Sequence, residues 1–364
     1  MMNEKICQIA LSMLPRIGPV RARLLLQHYG SASAIFHADR DELLSIPDIG
    51  PVLAGVVAGG ADLERAEREA EFAVEQGIRM LFCTDDDYPS RLRDCPDAPV
   101  MLFMTGNADL NAKHAISIVG TRKATSYGRR VCRELLDGLR DFRPLVISGL
   151  AYGIDIEAHK ASIDLGFPTI ACLAHGLDRI YPPDHALVAN KMMRNGGLIT
   201  EFLPNTRPDR ELFPMRNRIV AGLGDCTVVV ESDVSGGSML TAHIAASYNR
   251  DVFAIPGRVH DKFSAGCHKL IAANAAAMLV SSQSLIEAMG WGKKEEVKKQ
   301  LALPLDLSEN ELKVVETLRS SERMYIDDLT ICTGIAASVL AGILLELEFR
   351  NVVTSLPGKY YQLS

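Results

Sequence analysis

Glycine next to arginine, placed where an apolar run gives way to a helix, is the recurring chemical device of this 364-residue sequence. Gly120-Thr121-Arg122-Lys123 follows the apolar run Ile116–Val119 and precedes a helix predicted to begin near Ser126. Glycine lets the backbone approach an anion, helix N–H groups point at it, and a guanidinium can clamp it through two parallel donors. The loop therefore reads either as a phosphate cradle built on Gly120, Arg122 and Lys123 or as a plain strand–helix turn. It matches neither the GxGxxG dinucleotide fingerprint nor the GxxxxGK[ST] phosphate loop. Ser148-Gly149-Leu150-Ala151-Tyr152-Gly153-Ile154-Asp155 repeats the arrangement. Asp155 and His159 raise the question of a catalytic pair. No Ser or Cys nucleophile and no third orienting group stands at a matching spacing, so Asp155 is expected to orient its own loop.

Five more segments extend the series. His175-Gly176-Leu177-Asp178-Arg179-Ile180-Tyr181-Pro182 sets a cation, Arg179, near a ring, Tyr181. That pairing suits a splayed base on a phosphate track, or simply packs the turn. Phe213-Pro214-Met215-Arg216-Asn217-Arg218 carries two permanently charged guanidinium groups, which either contact phosphates or form a solvated charged turn. Ser235-Gly236-Gly237-Ser238, Pro256-Gly257-Arg258 and Gly266-Cys267-His268-Lys269 complete the set. One such loop is weak evidence. So many on one sheet edge predict a surface that holds consecutive phosphates rather than a single cofactor.

The elements that must position these loops follow from periodicity. Apolar runs at Ile116–Val119, Leu145–Ile147, Thr169–Leu173, Leu198–Phe202, Thr227–Val230, Val252–Ile255 and Met278–Val280 alternate with helix-length amphipathic stretches. This predicts an α/β fold with a mostly parallel sheet and flanking helices, whose ligands bind at the carboxyl ends of the strands. Residues 1–75 predict a helical domain. Leu14-Pro15-Arg16-Ile17-Gly18-Pro19-Val20 and Ile46-Pro47-Asp48-Ile49-Gly50-Pro51-Val52 repeat each other in the manner of helix-hairpin-helix turns. Arg16 and Asp48 replace the first glycine of such turns, and Asp48 would repel a phosphate, so packing or docking is the expected role. The α/β domain is expected over 76–290, a charged linker over 291–304 and a winged-helix domain over 305–364. In the last, Ser308 and Glu311 form a capping-box pattern. The third helix, Ile335–Phe349, has no Lys or Arg and carries Glu346 and Glu348. A helix reading duplex DNA needs basic side chains, so a protein contact is expected there instead.

Composition sets the outer limits. Apolar residues make up 48%, and the formal net charge is −6. The distribution of charge is uneven. Residues 116–285 hold 19 Lys and Arg against 16 Asp and Glu, a net +3, whereas 1–75 (7 against 11) and 305–364 (5 against 9) each net −4. A local basic patch is compatible with an acidic total. No apolar run approaches the roughly 20 residues needed to span a bilayer. The first residues lack a basic n-region and a small-residue cleavage site, so no export signal and a cytoplasmic location are expected. Eight cysteines occur singly, without a CxxC pair, and are expected to be reduced and mostly buried. The nine histidines form no HxxxH or HExxH motif, so neither metal nor cofactor is expected.

Taken in order, the segments IVGTRKATSYG, VISGLAYGIDIEAH, HGLDRIYP, LITEF, FPMRNRIVAGL, VVVESDVSGGSMLTAHIA, RDVFAIPG and GCHKLIAANAA resemble the DNA-processing protein A (DprA/Smf) family. The upstream Tyr88-Pro89-Ser90-Arg91-Leu92 and Pro99–Gly106 agree, and the likeness extends over the whole chain. The resemblance implies an extended Rossmann-like domain that binds single-stranded DNA in a basic pocket without catalysis. It further implies a homodimer through that domain and loading of RecA recombinase, notably in natural transformation. On this sequence the phosphate contacts would be Gly120, Arg122, Ser148, Gly149, Arg216, Arg218 and Lys269. Met239–Ile255 is the expected dimer surface. His185 stands where relatives often carry asparagine, a departure in the loop after Tyr181-Pro182. Rival readings are a Rossmann-like phosphoribohydrolase, a dinucleotide-dependent dehydrogenase and an adaptor without nucleic acid. The first would need a PGGxGTxxE motif, and Ser235–Ala242 lacks its proline and glutamate. The second would need GxGxxG after a strand. The clustered central bases argue against the third.

Overall fold

The computed structural model describes residues 3–292, 307–321 and 323–364. The chain divides into two compact units, Met1–Gln283 and Ser284–Ser364. The linker expected over 291–304 lies outside the described residues except at its first two positions.

In the first unit nine strands form one sheet. They are β1 (Arg79–Phe82), β2 (Met101–Gly106), β3 (Ala115–Val119), β4 (Leu145–Ser148), β5 (Thr169–Cys172), β6 (Gly196–Thr200), β7 (Cys226–Val229), β8 (Asp251–Ala254) and β9 (Ala277–Met278). Their spatial order is β1-β2-β6-β5-β4-β3-β7-β8-β9. The seven strands from β3 to β9 are mutually parallel, while β2 and β1 join antiparallel beyond β6. These seven strands are the seven apolar runs of the sequence. The antiparallel pair that extends the sheet was not assigned there. β3, β4, β5, β6 and β7 are buried along their whole length, as a sheet covered by helices on both faces requires. Order steps one way from β3 to β6 and the other way from β3 to β7. The reversal falls between β3 and β7, paired from Ile116↔Cys226 to Val119↔Val229, and a doubly wound sheet opens a crevice at such a point.

Helices Glu4–Met13, Pro19–Tyr29, Ala32–His37, Arg40–Leu44, Pro51–Ala58 and Leu63–Glu75 make up the front of this unit. Cys7, Leu11 and Leu25 belong to the same apolar cluster as Leu102, Met104, Ile219 and Leu270, so these helices share the core of the sheet. Arg16 and Asp48 adopt left-handed backbone at φ 66° and 64°. They keep the turn that glycine normally makes, at a cost of about 1 kcal/mol each. Pro19 and Pro51 then open their helices at the first turn, where a missing N–H costs nothing. Within Met239–Ile255, the strand part is inner strand β8, paired on both sides and buried at Val252, Phe253 and Ala254. Only the helical half presents an outer face, with Leu240 exposed.

The second unit holds helices Glu309–Arg319, Ile326–Thr333 and Ala337–Phe349 with β10 (Met324–Tyr325), β11 (Val353–Leu356) and β12 (Tyr360–Leu363) in the order β10-β12-β11. This is the winged-helix arrangement expected from the sequence. Ser308 and Glu311 form the capping box, and Arg350 also pairs with Glu311 at 2.8 Å. Val339, Leu345 and Phe349 are exposed on the third helix. Seven cysteines are buried and Cys332 is exposed; none forms a disulfide. Among the described residues no single helix is long and apolar enough to cross a membrane, and no group of three or more metal-ligating side chains is present.

Candidate nucleic-acid interface

A cleft of about 540 Å³ lies at the β3/β7 switch. Gly120, Thr121 and Arg122 form one wall, Phe213 and Arg216 the second, and Ser235, Gly236, Gly237 and Ser238 the third. The β3 loop fits there only because position 120 has no side chain: a Cβ would lie 2.5 Å from Ile154 Cγ1 and 3.0 Å from the Glu231 carbonyl oxygen. Phe213 stands at the centre of the rim. The guanidinium carbons of Arg122 and Arg216 are 5.2 and 5.9 Å from its ring centroid, and the half-exposed Tyr181 ring is 6.5 Å away. Cation–π geometry of this kind assembles two positive charges beside a ring face.

Arg216 is only 4% exposed, yet it makes no hydrogen bond or ion pair to any described residue, and its Nε is buried without an acceptor. Its guanidinium lies directly on Gly149. A Cβ at that position would sit 1.3 Å from Nη1, so glycine is required for the arginine to occupy its seat. The Asp155 carboxylate accepts from the Gly149 N–H at 3.1 Å and the Ala151 N–H at 3.4 Å. Asp155 thus orients the loop, as expected. Burial pushes the Asp155 carboxyl up and the Arg216 guanidinium down, and each charge partly offsets the other's shift. A buried cation without a hydrogen-bond acceptor, open on one side to a cleft, is a standing demand for an anion. His159 is fully buried, bonded to Thr169 Oγ1 at 2.8 Å, and burial lowers its pKa to about 3. It is neutral near pH 7 and cannot serve Asp155 as a charged catalytic partner.

The helix N-termini differ in a way the sequence concealed. Helix Ser126–Asp137, which follows the Gly120 loop, was expected to offer its N–H groups to a phosphate. Its N-terminus is already filled. Thr125 Oγ1 accepts from the Gly128 N–H at 3.2 Å, and the buried Glu231 carboxylate accepts from the Thr125 N–H at 2.9 Å and its hydroxyl at 2.5 Å. A carboxylate from a strand end 106 residues away occupies the anion position. Helix Gly237–Ser247 instead starts at Gly236 with no side-chain cap, so its N-terminal dipole faces the cleft. Asp233 on the same wall is held by Lys262 at 3.3 Å.

Of the expected site residues, the cleft unites Gly120, Arg122 and Arg216, with Gly149 as the seat of Arg216. Arg218 goes elsewhere. It is buried, donating to the Asp97 carbonyl oxygen and pairing with the Glu201 carboxylate, whose pKa burial raises to about 7. Residues two apart on a helix point about 200° apart, so the two arginines of one motif necessarily part company. Ser148 is also internal, its hydroxyl donating to the Ile118 carbonyl oxygen at 2.6 Å. Both side chains are spent within the protein, which corrects the expectation that they face a bound strand. Arg179 is tied to Asp178 within its own loop at 2.6 Å, and Lys123 and Lys269 are exposed; all three lie outside the cleft lining. Phe213 and Arg210 line the cleft but were not singled out. The available signal was an aromatic residue beside a pair of arginines.

Residues 79–290 match the family model for DNA recombination-mediator protein A, more than half of the chain. The chain belongs to the DprA/Smf family. Residues 9–55 match a SAM-like helix-hairpin-helix tandem and residues 298–359 the DprA winged-helix domain. A putative DNA processing protein DprA of Mycobacterium tuberculosis is 33% identical, over 86% of this chain and 84% of its own length. The DNA processing protein DprA of Bacillus subtilis is 38% identical over 59% of this chain and 72% of its own. The crystal structure of DprA from Streptococcus pneumoniae superposes with a TM-score of 0.68 at 30% identity, covering 79% of this chain and 98% of the other. A DprA structure from Helicobacter pylori, described for its single-stranded-DNA-binding mode, matches with a TM-score of 0.53 at 27% identity, covering 58% and 94%. The helical front, extended parallel sheet and winged helix of this chain are thus the architecture of DprA proteins.

Proposed function

We propose that this chain binds single-stranded DNA in the β3/β7 cleft, protects it, and delivers it to a RecA-type recombinase without catalysing a reaction. The observation that carries this is Arg216: a buried guanidinium lacking any protein acceptor, facing a cleft rimmed by Arg122, Phe213 and an uncapped helix N-terminus. Phosphate oxygens satisfy the two arginines and the helix N–H groups, while an unstacked base lies on Phe213 or Tyr181. Paired duplex bases have no free face to offer those rings, so single strands are preferred. Lys123, Arg179 and Lys269, exposed or half-exposed, belong to the outer track of the strand. Kinship with the DprA family supports a recombinase partner, a homodimer through the sheet domain and a cytoplasmic location as parts of this reading. The phosphoribohydrolase reading has no support in the cleft. Ser235–Ala242 carries no carboxylate, Glu231 is consumed as a helix cap, Asp233 is paired with Lys262, and Asp155 is bound to its own loop.

Anisotropy of labelled single-stranded and duplex oligonucleotides across a salt series tests the reading. Single strands bind more tightly, and log K falls linearly with log salt at about 0.7 per phosphate neutralised. Equal affinity for duplex, or a flat salt response, overturns it.

A further inference from the structure

The opposite edge of the same sheet holds a second hollow, of about 390 Å³, at the N-terminal ends of β5 and β6. It stands apart from the cleft and from the reading given to it. Its floor is apolar: Phe167 and Met192 are almost fully buried, and Ile163 is half-buried beside them. Its rim is cationic. Lys191 and Arg194 line the hollow and are exposed, and Arg143 reaches its lip by donating to the Gly166 carbonyl oxygen at 3.0 Å. Asn195 Nδ2 donates to that same oxygen at 3.0 Å, so the lip is fixed from two sides. None of the three cations is paired with a carboxylate among the described residues. Asp164, adjacent in sequence to Ile163, is committed to Arg133 at 3.1 Å.

An apolar floor inside an unpaired cationic rim complements a ligand with the inverse pattern. We propose that this hollow docks an acidic peptide segment of a partner protein, which inserts one bulky apolar side chain between Phe167 and Met192 while its carboxylates meet Lys191, Arg194 and Arg143. The size suits one large side chain and its flanking backbone, at the small end of the range for ligand pockets. Arginine and lysine around a buried anchor are the usual means of reading acidic motifs. A nucleic-acid strand fits less well, because the floor offers few polar groups to base edges.

The test uses the full chain and a fluorescein-labelled oligo-aspartate peptide ending in phenylalanine, read by anisotropy. The peptide binds, and saturating oligo-dT in the cleft does not displace it. The double variant Lys191→Glu/Arg194→Glu, altered only at exposed positions, weakens the peptide by about tenfold or more. Its unfolding midpoint and its oligo-dT affinity stay unchanged. Replacing the terminal phenylalanine by alanine weakens binding to a similar extent. Equal peptide affinity in the double variant, equal binding of the alanine-ended peptide, or displacement by oligo-dT would each overturn the proposal.

Discussion

Arg216 and Arg218 lie two residues apart on one helix, are equally buried, and inhabit regions of opposite chemistry. Arg218 is satisfied by the protein itself: Glu201 supplies the countercharge and the Asp97 carbonyl oxygen a further acceptor, and Tyr248 donates to the Asp97 carboxylate beside it. Arg216 is not satisfied in this way. It has a partial electrostatic offset from Asp155, a ring beneath it, a glycine under its guanidinium and no acceptor of its own. Burial therefore says little about the role of an arginine. What separates structural from binding is whether the protein itself satisfies the charge.

Three perturbations sharpen or break this contrast. The largest effect is expected on stability. Arg218→Met strands the Glu201 carboxylate in the interior and should cost about 3 kcal/mol in urea unfolding. Oligonucleotide affinity per folded molecule should be unchanged, and a loss of affinity without a loss of stability would erase the distinction. Next is Gly149→Ala. Its methyl group takes the place of the Arg216 guanidinium, so the charge is retained but misplaced. Single-strand affinity should drop by about 2 kcal/mol, some 30-fold, in a binding isotherm. The third is a pH dependence. Burial raises the Glu201 carboxyl from its ordinary 4.5 to about 7 in the folded protein. Its favourable contribution is therefore complete below about pH 4.5 and lost as pH rises through 7. Melting curves of wild type and Glu201→Gln should diverge across that window, with wild type losing relative stability toward pH 8. Parallel curves would place the Glu201 titration elsewhere.

The legibility of these features follows their range in sequence. The seven parallel strands were readable because each is a short apolar run, wholly buried from β3 to β7, a signal local to a few residues. Arg122 was readable for the same reason, since it follows its strand directly. The separation of Arg216 from Arg218 was not readable, because it depends on what Asp97, Gly149 and Glu201 place on each side of their helix. Glu231 filling the Ser126 helix N-terminus was hidden by the 106 residues between Thr125 and Glu231. β2 lies within the Pro99–Gly106 segment and β1 upstream of Tyr88, and the antiparallel pairing of the two breaks the strand–helix alternation that revealed the others. In the helix-hairpin-helix turns, composition pointed away from glycine geometry, yet Arg16 and Asp48 adopt it. Residue type was a poorer guide there than the repeat of the flanking Pro-Gly pattern.

The most direct measurement of the central claim is single-strand binding and urea unfolding on the same preparation of Arg216→Met. Affinity should fall by about tenfold or more with a shallower salt slope, while the unfolding midpoint falls less than in Arg218→Met, because Arg216 has no hydrogen-bond partner to lose and Asp155 keeps its backbone donors. Unchanged affinity, or destabilisation matching that of Arg218→Met, would contradict the assignment of Arg216 as the anion-binding centre of the cleft.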